Sequence, residues 1–195
     1  CQMCIGERCE SRPKQQAGAV LMWQMGSPNL LYSTLPADGG GPGSMVFLFG
    51  SHNAAVSAFQ VSSDGTMVVS GAEDGSLAVW RVADGEKVGS ISAAHRGSVR
   101  AVAIASATCV MSSGNDGSVR VWQVSDDPRL RMLHRMTPGD APAPLTALAM
   151  WSANANGTKR LLAAGSADGV VYAWTADASG NSTDCGWRAE AVLHH

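Results

Sequence analysis

An Asp-Gly pair followed by a tryptophan six residues after the Asp occurs three times in this chain. The three segments run from Asp74 to Trp80, from Asp116 to Trp122, and from Asp168 to Trp174. Consecutive tryptophans are 42 and then 52 residues apart. Self-similarity at a period of about 20–50 residues is typical of repeat architectures. The spacing therefore predicts a fold built from similar units.

Each unit reads as a β-hairpin flanked by further strands. Glycine adopts a positive φ at low cost and Asp bonds its own backbone, so each Asp-Gly pair predicts a tight turn. Apolar runs on both sides of the turns predict strands at 67–70, 77–80, 109–112, 119–122, 161–164 and 170–174. Further strands are expected before each hairpin, at 56–61, 99–104 and 145–151, and after it, at 87–92, 130–135 and 187–193. Because these runs do not alternate between apolar and polar residues, both faces of each sheet should be covered, as in radially stacked four-stranded blades.

Composition excludes two classes of partner. The chain has 195 residues and a formal net charge of −2 without a basic block, whereas non-specific nucleic-acid binding needs a surface that neutralises phosphates. No stretch approaches the roughly 20 apolar residues of a membrane-spanning helix. The sequence therefore indicates neither nucleic-acid binding nor a membrane protein.

The five cysteines are odd in number and unevenly placed, which argues against a disulfide framework and favours a reducing compartment. We therefore expect an intracellular protein, in either the cytoplasm or the nucleus. The chain opens on Cys1 without an initiating methionine, and we expect it to be a fragment or a processed piece.

Residues 1–16 form a separate, polar segment that carries Cys1, Cys4 and Cys9. Three thiolates at this spacing could hold zinc if a fourth ligand came from elsewhere, and the first pair could instead be redox-active. We favour a loop with free thiols, and we expect no metal and no cofactor.

His52 and His95, and likewise Ser70 and Ser112, recur at fixed positions before two of the turns. With them the sequence resembles the WD-repeat family. In that family the His, Ser, Asp and Trp of each blade form a buried hydrogen-bond chain. The matching residues here are His52, Ser70, Asp74 and Trp80 in one unit, and His95, Ser112, Asp116 and Trp122 in the next. The third unit keeps Asp168 and Trp174 but has Ala164 and Ala141 where the serine and histidine should fall. A set that recurs in neighbouring units indicates a structural rather than a catalytic role.

The resemblance implies an all-β fold, part of a WD-type propeller with about three full blades and part of another. We expect residues 17–195 to form it, with a partial blade at 17–50 and full blades at 52–93, 95–136 and 141–193. A closed ring typically has four to eight blades, so we expect an open arc. Its terminal blades should expose sheet faces meant for neighbours, and the rest of its own propeller is an expected partner.

The function that the resemblance implies is a non-catalytic scaffold that docks proteins or peptides. The alternative is a targeting or substrate-recruiting propeller of a larger enzyme, such as a ubiquitin-ligase subunit. Partners of the family often touch the narrow top face, near the start of the innermost strand and just before the turn Asp. The corresponding positions here, which are our candidates for partner binding, are Ser57, Glu73, Arg100, Asn115, Thr146 and Ala167.

Overall fold

The computed structural model describes residues 19–23, 45–139, 143–152, 159–177 and 185, and the regular structure in these ranges is all β-strand. None of the described residues belongs to a helix long and apolar enough to cross a membrane. The all-β class predicted from the sequence is confirmed.

Thirteen strands within the described ranges form four antiparallel sheets. The N-terminal strand pair consists of β1 (Ala19–Trp23) and β2 (Met45–Ser51). The first blade contains, in order, β3 (Val56–Val61), β4 (Met67–Ala72), β5 (Leu77–Arg81) and β6 (Lys87–Ile91). The second blade contains β7 (Val99–Ser106), β8 (Cys109–Gly114), β9 (Val119–Gln123) and β10 (Arg131–Met136). The third blade has three described strands, β11 (Leu145–Ser152), β12 (Lys159–Ser166) and β13 (Val171–Asp177).

The Asp-Gly turns join the second and third strands of each blade. Their glycines have positive φ angles of 83° at Gly75, 68° at Gly117 and 90° at Gly169, a backbone region in which a side chain clashes with its own carbonyl groups. Gly75 is also constrained by its neighbours, because a Cβ there would lie 2.8 Å from the carbonyl oxygen of Gly97 in the second blade. The glycine therefore fixes both the turn and the approach of the next blade.

Burial explains why the strands lack polar alternation. Every residue of β4 and β8 is buried, because each of these strands lies inside a sheet that is covered on both faces. One apolar cluster joins the first blade to the second and includes Val69, Val79 and Val99. Another joins the second blade to the third and includes Met111, Val121 and Leu162. The core of the molecule thus lies between blades rather than within one sheet.

The blades stack through their first strands. Strand β7 packs against β3 and β4, and β11 packs against β7 and β8. Polar contacts add to this packing between the first and second blades: the backbone N–H of Ala94 donates to the carbonyl of Gly75 (2.8 Å), and that of Ile104 donates to Oε1 of Gln60 (3.0 Å). On the outer side, the N–H of Ser90 donates to the carbonyl of Pro128 (2.9 Å). An open arc of propeller blades fits this stacking.

Cys109 and Cys185 form a disulfide, with Cα atoms 5.9 Å apart. The structure thus pairs two cysteines, although the sequence argued against a disulfide framework. An odd number of cysteines excludes only the pairing of all of them. The two cysteines are 76 residues apart in sequence, so no local spacing pattern predicts that they pair. Cys109 begins β8 of the second blade and is 1% exposed.

Several predictions fall on residues outside the described ranges: the N-terminal segment at 1–16, the Ala141 position, and the fourth strand of the third blade at 187–193. The blade boundaries stay predictions as well.

Candidate functional site

The second blade contains a continuous chain of hydrogen bonds from its tryptophan to its turn. Trp122 Nε1 donates to Ser112 Oγ (2.9 Å), Ser112 Oγ lies 2.7 Å from His95 Nε2, and His95 Nδ1 lies 2.9 Å from Asp116 Oδ1. An indole N–H can only donate and a carboxylate can only accept. One proton order therefore satisfies all four groups, with Ser112 donating to His95 Nε2 and a neutral His95 donating from Nδ1 to Asp116.

Asp116 is the most heavily bonded group of this chain. Besides His95, its carboxylate accepts from the hydroxyl of Ser118 (2.7 Å), the backbone N–H of Arg96 (3.1 Å) and Nη2 of Arg120 (2.8 Å). Its side chain is only 7% exposed and that of Arg120 only 14%. A carboxylate that is taken out of water is stable when donors satisfy its lone pairs, and here those donors come from strand β9, the turn before it and the loop before β7.

The electrostatics follow from burial and these bonds. Burial alone would raise the pKa of Asp116, but the hydrogen bonds from His95, Ser118 and the Arg96 backbone hold its pKa below the ordinary value. Burial lowers the pKa of His95, although Asp116 acts in the opposite direction. Near neutral pH the pair is therefore a carboxylate beside a neutral imidazole.

In the first blade, Ser76 lies between the histidine and the Asp of the hydrogen-bond chain. Trp80 Nε1 donates to Ser70 Oγ (2.7 Å), and Ser70 Oγ lies 2.7 Å from His52 Nε2. His52 Nδ1 then meets Ser76 Oγ at 2.7 Å, not Asp74. Asp74 is exposed. Burial acts to raise the pKa of Asp74, but hydrogen bonds from the hydroxyl and backbone of Ser76 outweigh it, so the pKa is lowered.

The third blade replaces the polar chain with apolar packing. Ala164, which occupies the serine position, is 1% exposed, and Trp174 is 2% exposed in the same cluster as Leu162 and Tyr172. Asp168 is exposed, and its pKa is lowered by a hydrogen bond from Ser166. The structure therefore brings together four predicted residues in the second blade and three in the first, whereas in the third Asp168 faces solvent.

A Ser–His–Asp arrangement invites comparison with a catalytic triad. A nucleophile must reach its substrate, however, and the side chains of Ser112 and Ser70 are completely buried, at 0% exposure. Their hydroxyls are also the acceptors of the tryptophan N–H groups. No substrate can contact either hydrogen-bond chain in this structure, so each one stabilises its own blade. We call each of these buried hydrogen-bond chains a brace.

The six candidate binding residues occupy one edge of the arc. In each blade the first strand slips register by one residue near its start, between Val56 and Ala58, between Val99 and Ala101, and between Leu145 and Ala147. A bulge leaves the extra residue unpaired and redirects its side chain. The extra residues are Ser57, Arg100 and Thr146, all of which are exposed.

The residue before each turn Asp lies directly beside the bulge. Its backbone N–H donates to the carbonyl of the residue that precedes the first strand: Glu73 to Ala55 (3.0 Å), Asn115 to Ser98 (3.0 Å) and Ala167 to Pro144 (2.8 Å). These three residues are exposed, while Ala72 and Gly114, which precede two of them, are buried. A fixed backbone thus presents three pairs of adjacent side chains, which we call the turn edge: Ser57 and Glu73, Arg100 and Asn115, Thr146 and Ala167.

The side chains of the turn edge differ in how free they are. Ser57 Oγ donates to the carbonyl of Val99 in the next blade, and Thr146 Oγ1 donates to that of Gly165 (3.3 Å). Arg100 and Glu73 make no side-chain hydrogen bond or ion pair with any other described residue. The charged members of the turn edge are therefore available to a partner, whereas the two hydroxyls are used within the arc.

Sequence reasoning missed three contributors to these sites. Ser76 and Ser118 stand two residues after the turn Asp in both braced blades, and that shared spacing is a signal that could have identified them. Arg120 has no counterpart at the equivalent Ala78, so no repeat points to it. Cys1, Cys4 and Cys9, the zinc alternative that the sequence left open, lie outside the described residues. The described residues contain no group of three His, Cys, Asp or Glu side chains placed to hold a metal.

Comparisons with known proteins agree with this architecture. The family model described as WD domain, G-beta repeat, matches residues 43–81 and 85–123. Each match begins just before the last strand of one sheet and ends at the tryptophan strand of the next, because one sequence repeat spans two blades. No curated protein matches the chain.

Solved structures share the fold. The chain is similar to the structure of the RRP9 WD40 repeats, with 22% identity and a TM-score of 0.54 over 65% of this chain and 37% of that one. It is also similar to the computationally designed proteins Ika8 (27% identity, TM-score 0.54, 77% of this chain and 42% of that one) and Ika4 (28%, 0.50, 69% and 78%). The chain thus spans well under half the length of the RRP9 and Ika8 structures.

Proposed function

The chain carries repeats of the WD40 family in an arc of propeller blades, and from this premise we propose that it is a non-catalytic scaffold that docks protein or peptide partners along the turn edge. The observation that carries the proposal is the threefold recurrence of an exposed bulge residue beside an exposed residue that precedes a turn Asp. Three blades offer the same pair of positions, with different side chains at each. Such a surface can be specific without any change to the frame that holds it.

The frame supports this role because it is rigid where the turn edge is presented. The N–H of Asn115 is bonded to Ser98, and Asp116, the next residue, is held by donors from several elements. A surface that is ordered before binding loses less conformational entropy when a partner arrives. The buried braces therefore contribute to function indirectly, by fixing the position of the turn edge.

The charges of the turn edge indicate the chemistry of a partner. The second blade presents the guanidinium of Arg100, which can bind a carboxylate through two parallel hydrogen bonds, next to the amide of Asn115. The first blade presents the carboxylate of Glu73. A peptide with an acidic side chain opposite Arg100 and a basic one opposite Glu73 would bind in a single orientation, because the reverse orientation places like charges together.

Charge reversal tests the proposal. The wild-type chain, Arg100→Glu and a matched control, Arg131→Glu, would each be immobilised and used to capture proteins from a cell extract, with quantitative mass spectrometry as the readout. Arg131 is also exposed but lies on β10, the outermost strand of the second blade. We expect Arg100→Glu to lose a defined set of captured proteins that Arg131→Glu retains.

Two checks make the result decisive. The melting temperatures of the three proteins should agree, since Arg100 makes no side-chain hydrogen bond or ion pair with a described residue that its replacement would break. If Arg100→Glu and Arg131→Glu capture the same proteins as the wild type, the turn edge is not the docking surface and the proposal is wrong.

A further inference from the structure

The disulfide between Cys109 and Cys185 is an addition to the repeat rather than a part of it. Cys109 begins β8, and the equivalent residue in the first blade is Met67, which begins β4 and cannot form such a bond. The two residues have the same register, Met67 opposite Arg81 and Cys109 opposite Gln123. Both are buried, at 7% and 1% exposure. The repeat therefore needs a buried apolar side chain at this position and not a disulfide.

A reduced Cys109 satisfies the same requirement. Cysteine is among the most buried residue types, and its thiol packs as a small apolar group. Cys109 lies in the apolar cluster between the second and third blades, together with Met111 and Leu162. Strand β8, which it begins, is buried along its whole length and is paired on its two sides with β7 and β9. Reduction of the disulfide should therefore leave the second blade folded.

The bond joins parts of the chain that belong to different blades. Cys109 is in the second blade, whereas Cys185 follows β13, the last described strand of the third blade. The two cysteines are 76 residues apart, and the loop that their bond closes contains every described strand of the third blade. The two blades also meet where β11 packs on β7 and β8, but that contact is non-covalent. The disulfide therefore tethers the third blade to the second at both of its ends.

The two cysteines differ in their access to a reagent. Cys185 is partly exposed, whereas Cys109 is 1% exposed. A thiolate breaks a disulfide by bonding to one sulfur and expelling the other, so a dithiol should attack Sγ of Cys185 and release Sγ of Cys109. The second thiol of the reagent then displaces Sγ of Cys185. The products are two protein thiols and the cyclic disulfide of the reagent, and both protons pass from the reagent to the protein.

We propose that Cys109 and Cys185 form a reversible redox site whose state controls how firmly the third blade is held on the second. Its co-reactant is a dithiol in the reducing direction and a small disulfide in the oxidising direction. Closing a long loop of chain restricts the open states of that loop, so the third blade opens less often when the site is oxidised. The second blade keeps its packing in both states, and the effect is therefore confined to the third.

Hydrogen exchange measured strand by strand tests the proposal. The full chain would be treated with oxidised glutathione or with dithiothreitol, and peptide mapping after alkylation would show whether Cys109 and Cys185 are linked. Because exchange reports local opening, reduction should speed it about tenfold or more in β11, β12 and β13 and leave β4 and β5 unchanged. Renewed treatment of the reduced protein with oxidised glutathione should restore the link and the slow exchange.

Matched variants separate this bond from the other thiols of the chain. Cys185→Ser should show the fast exchange of the reduced protein under both treatments, and Cys109→Ala, which keeps a small apolar side chain in the cluster, should do the same. Cys4→Ser, which removes a cysteine outside the pair, should respond like the wild type. The proposal is overturned if oxidised glutathione leaves Cys109 and Cys185 unlinked, if reduction leaves exchange in the third blade unchanged, or if it speeds exchange equally in β4 and β12.

Discussion

The first and second blades have the same four-residue pattern, yet they use it differently. In the second blade His95 contacts Asp116 directly, and the carboxylate is nearly buried. In the first blade His52 contacts Ser76, and Asp74 lies exposed beyond it. The Trp–Ser–His part of the chain is the same in both blades, with three bonded groups in the same order.

The difference arises from residues outside the pattern. The second blade has Arg120 where the first has Ala78, and the guanidinium bonds the outer oxygen of Asp116. The backbone N–H of Arg96 bonds the same oxygen. With these donors the carboxylate is stable out of water, whereas Asp74 lacks the equivalent arginine and stays hydrated. The comparison teaches that the sequence pattern specifies the brace, while neighbouring residues decide whether its Asp becomes a buried charge.

The largest effect should come from Asp116→Ala. It leaves His95 Nδ1 without its acceptor and the charge of the largely buried Arg120 without its partner. Breaking such a pair typically costs about 3–5 kcal/mol. We expect a loss of about 3 kcal/mol in urea unfolding, against about 1 kcal/mol for Asp74→Ala. Asp127→Ala, at an exposed turn, should change stability by less than about 0.5 kcal/mol. Equal losses for Asp116→Ala and Asp127→Ala would contradict the assignment.

Ser76→Ala should be the next most damaging change, and it should cost more than Asp74→Ala. It removes the acceptor of His52 Nδ1 in a part-buried site, and leaving a buried donor unpaired costs about 1–3 kcal/mol. The predicted order of stability is therefore wild type, Asp74→Ala, Ser76→Ala. If Asp74→Ala proves the more damaging of the two, the extra residue in the first blade is not part of the brace.

Acid should destabilise the fold through both histidines before any carboxylate titrates. Burial lowers the folded-state pKa of His52 and of His95, so the unfolded chain binds more protons once the pH falls below about 6.5. Stability should therefore decline as the pH falls through 6.5 toward the lower folded-state values. Below about pH 4 the loss of the Asp116 carboxylate should add to it, because the pKa of that group is lowered as well. Chemical unfolding at a series of pH values measures both steps. The double variant His52→Gln and His95→Gln should abolish the first step and reduce the second, because the hydrogen bond from His95 is one cause of the lowered pKa of Asp116.

The smallest expected effect is a gain in stability, on replacement of Ser113 by alanine. Its hydroxyl is buried at 0% exposure and finds no partner among the described residues, while the equivalent residue in the first blade is Gly71. Ser113→Ala removes a buried hydroxyl that has no hydrogen-bond partner among the described residues. The change should stabilise the fold by up to about 1 kcal/mol. A loss of more than about 1 kcal/mol would show that the hydroxyl is bonded in solution.

Much of this architecture could be predicted from the sequence because the determinants are local and repeated. The Asp-Gly turns, the strands on either side and the His–Ser–Trp segment recur at fixed spacing, so each repeat supports the interpretation of the other. The pairing of Cys109 with Cys185 and the contact between Arg120 and Asp116 occur once, and no repetition points to them. The bulges at Ser57, Arg100 and Thr146 recur, but they share no residue type, because a bulge is fixed by strand pairing rather than by the side chain it presents.

The third blade, which lacks the serine and the histidine of the pattern, also shows what local sequence cannot predict. Its missing serine and histidine predicted apolar packing, and Ala164 and Trp174 lie in an apolar cluster. Whether the outward-facing surface of a blade is covered depends on the neighbouring element in space, which no residue of the blade itself encodes. Local pattern thus predicts a blade well and its neighbours poorly.

A double-mutant cycle tests the central comparison most directly. The free energies of unfolding would be measured for His95→Ala, Asp116→Ala and the double variant, and likewise for His52→Ala, Asp74→Ala and their double variant. Residues in direct contact within one network couple by about 0.5–3 kcal/mol, whereas separated residues add within about 0.5 kcal/mol. We predict a coupling of about 2 kcal/mol between His95 and Asp116, and one below about 0.5 kcal/mol between His52 and Asp74. Equal couplings in the two blades would contradict the account.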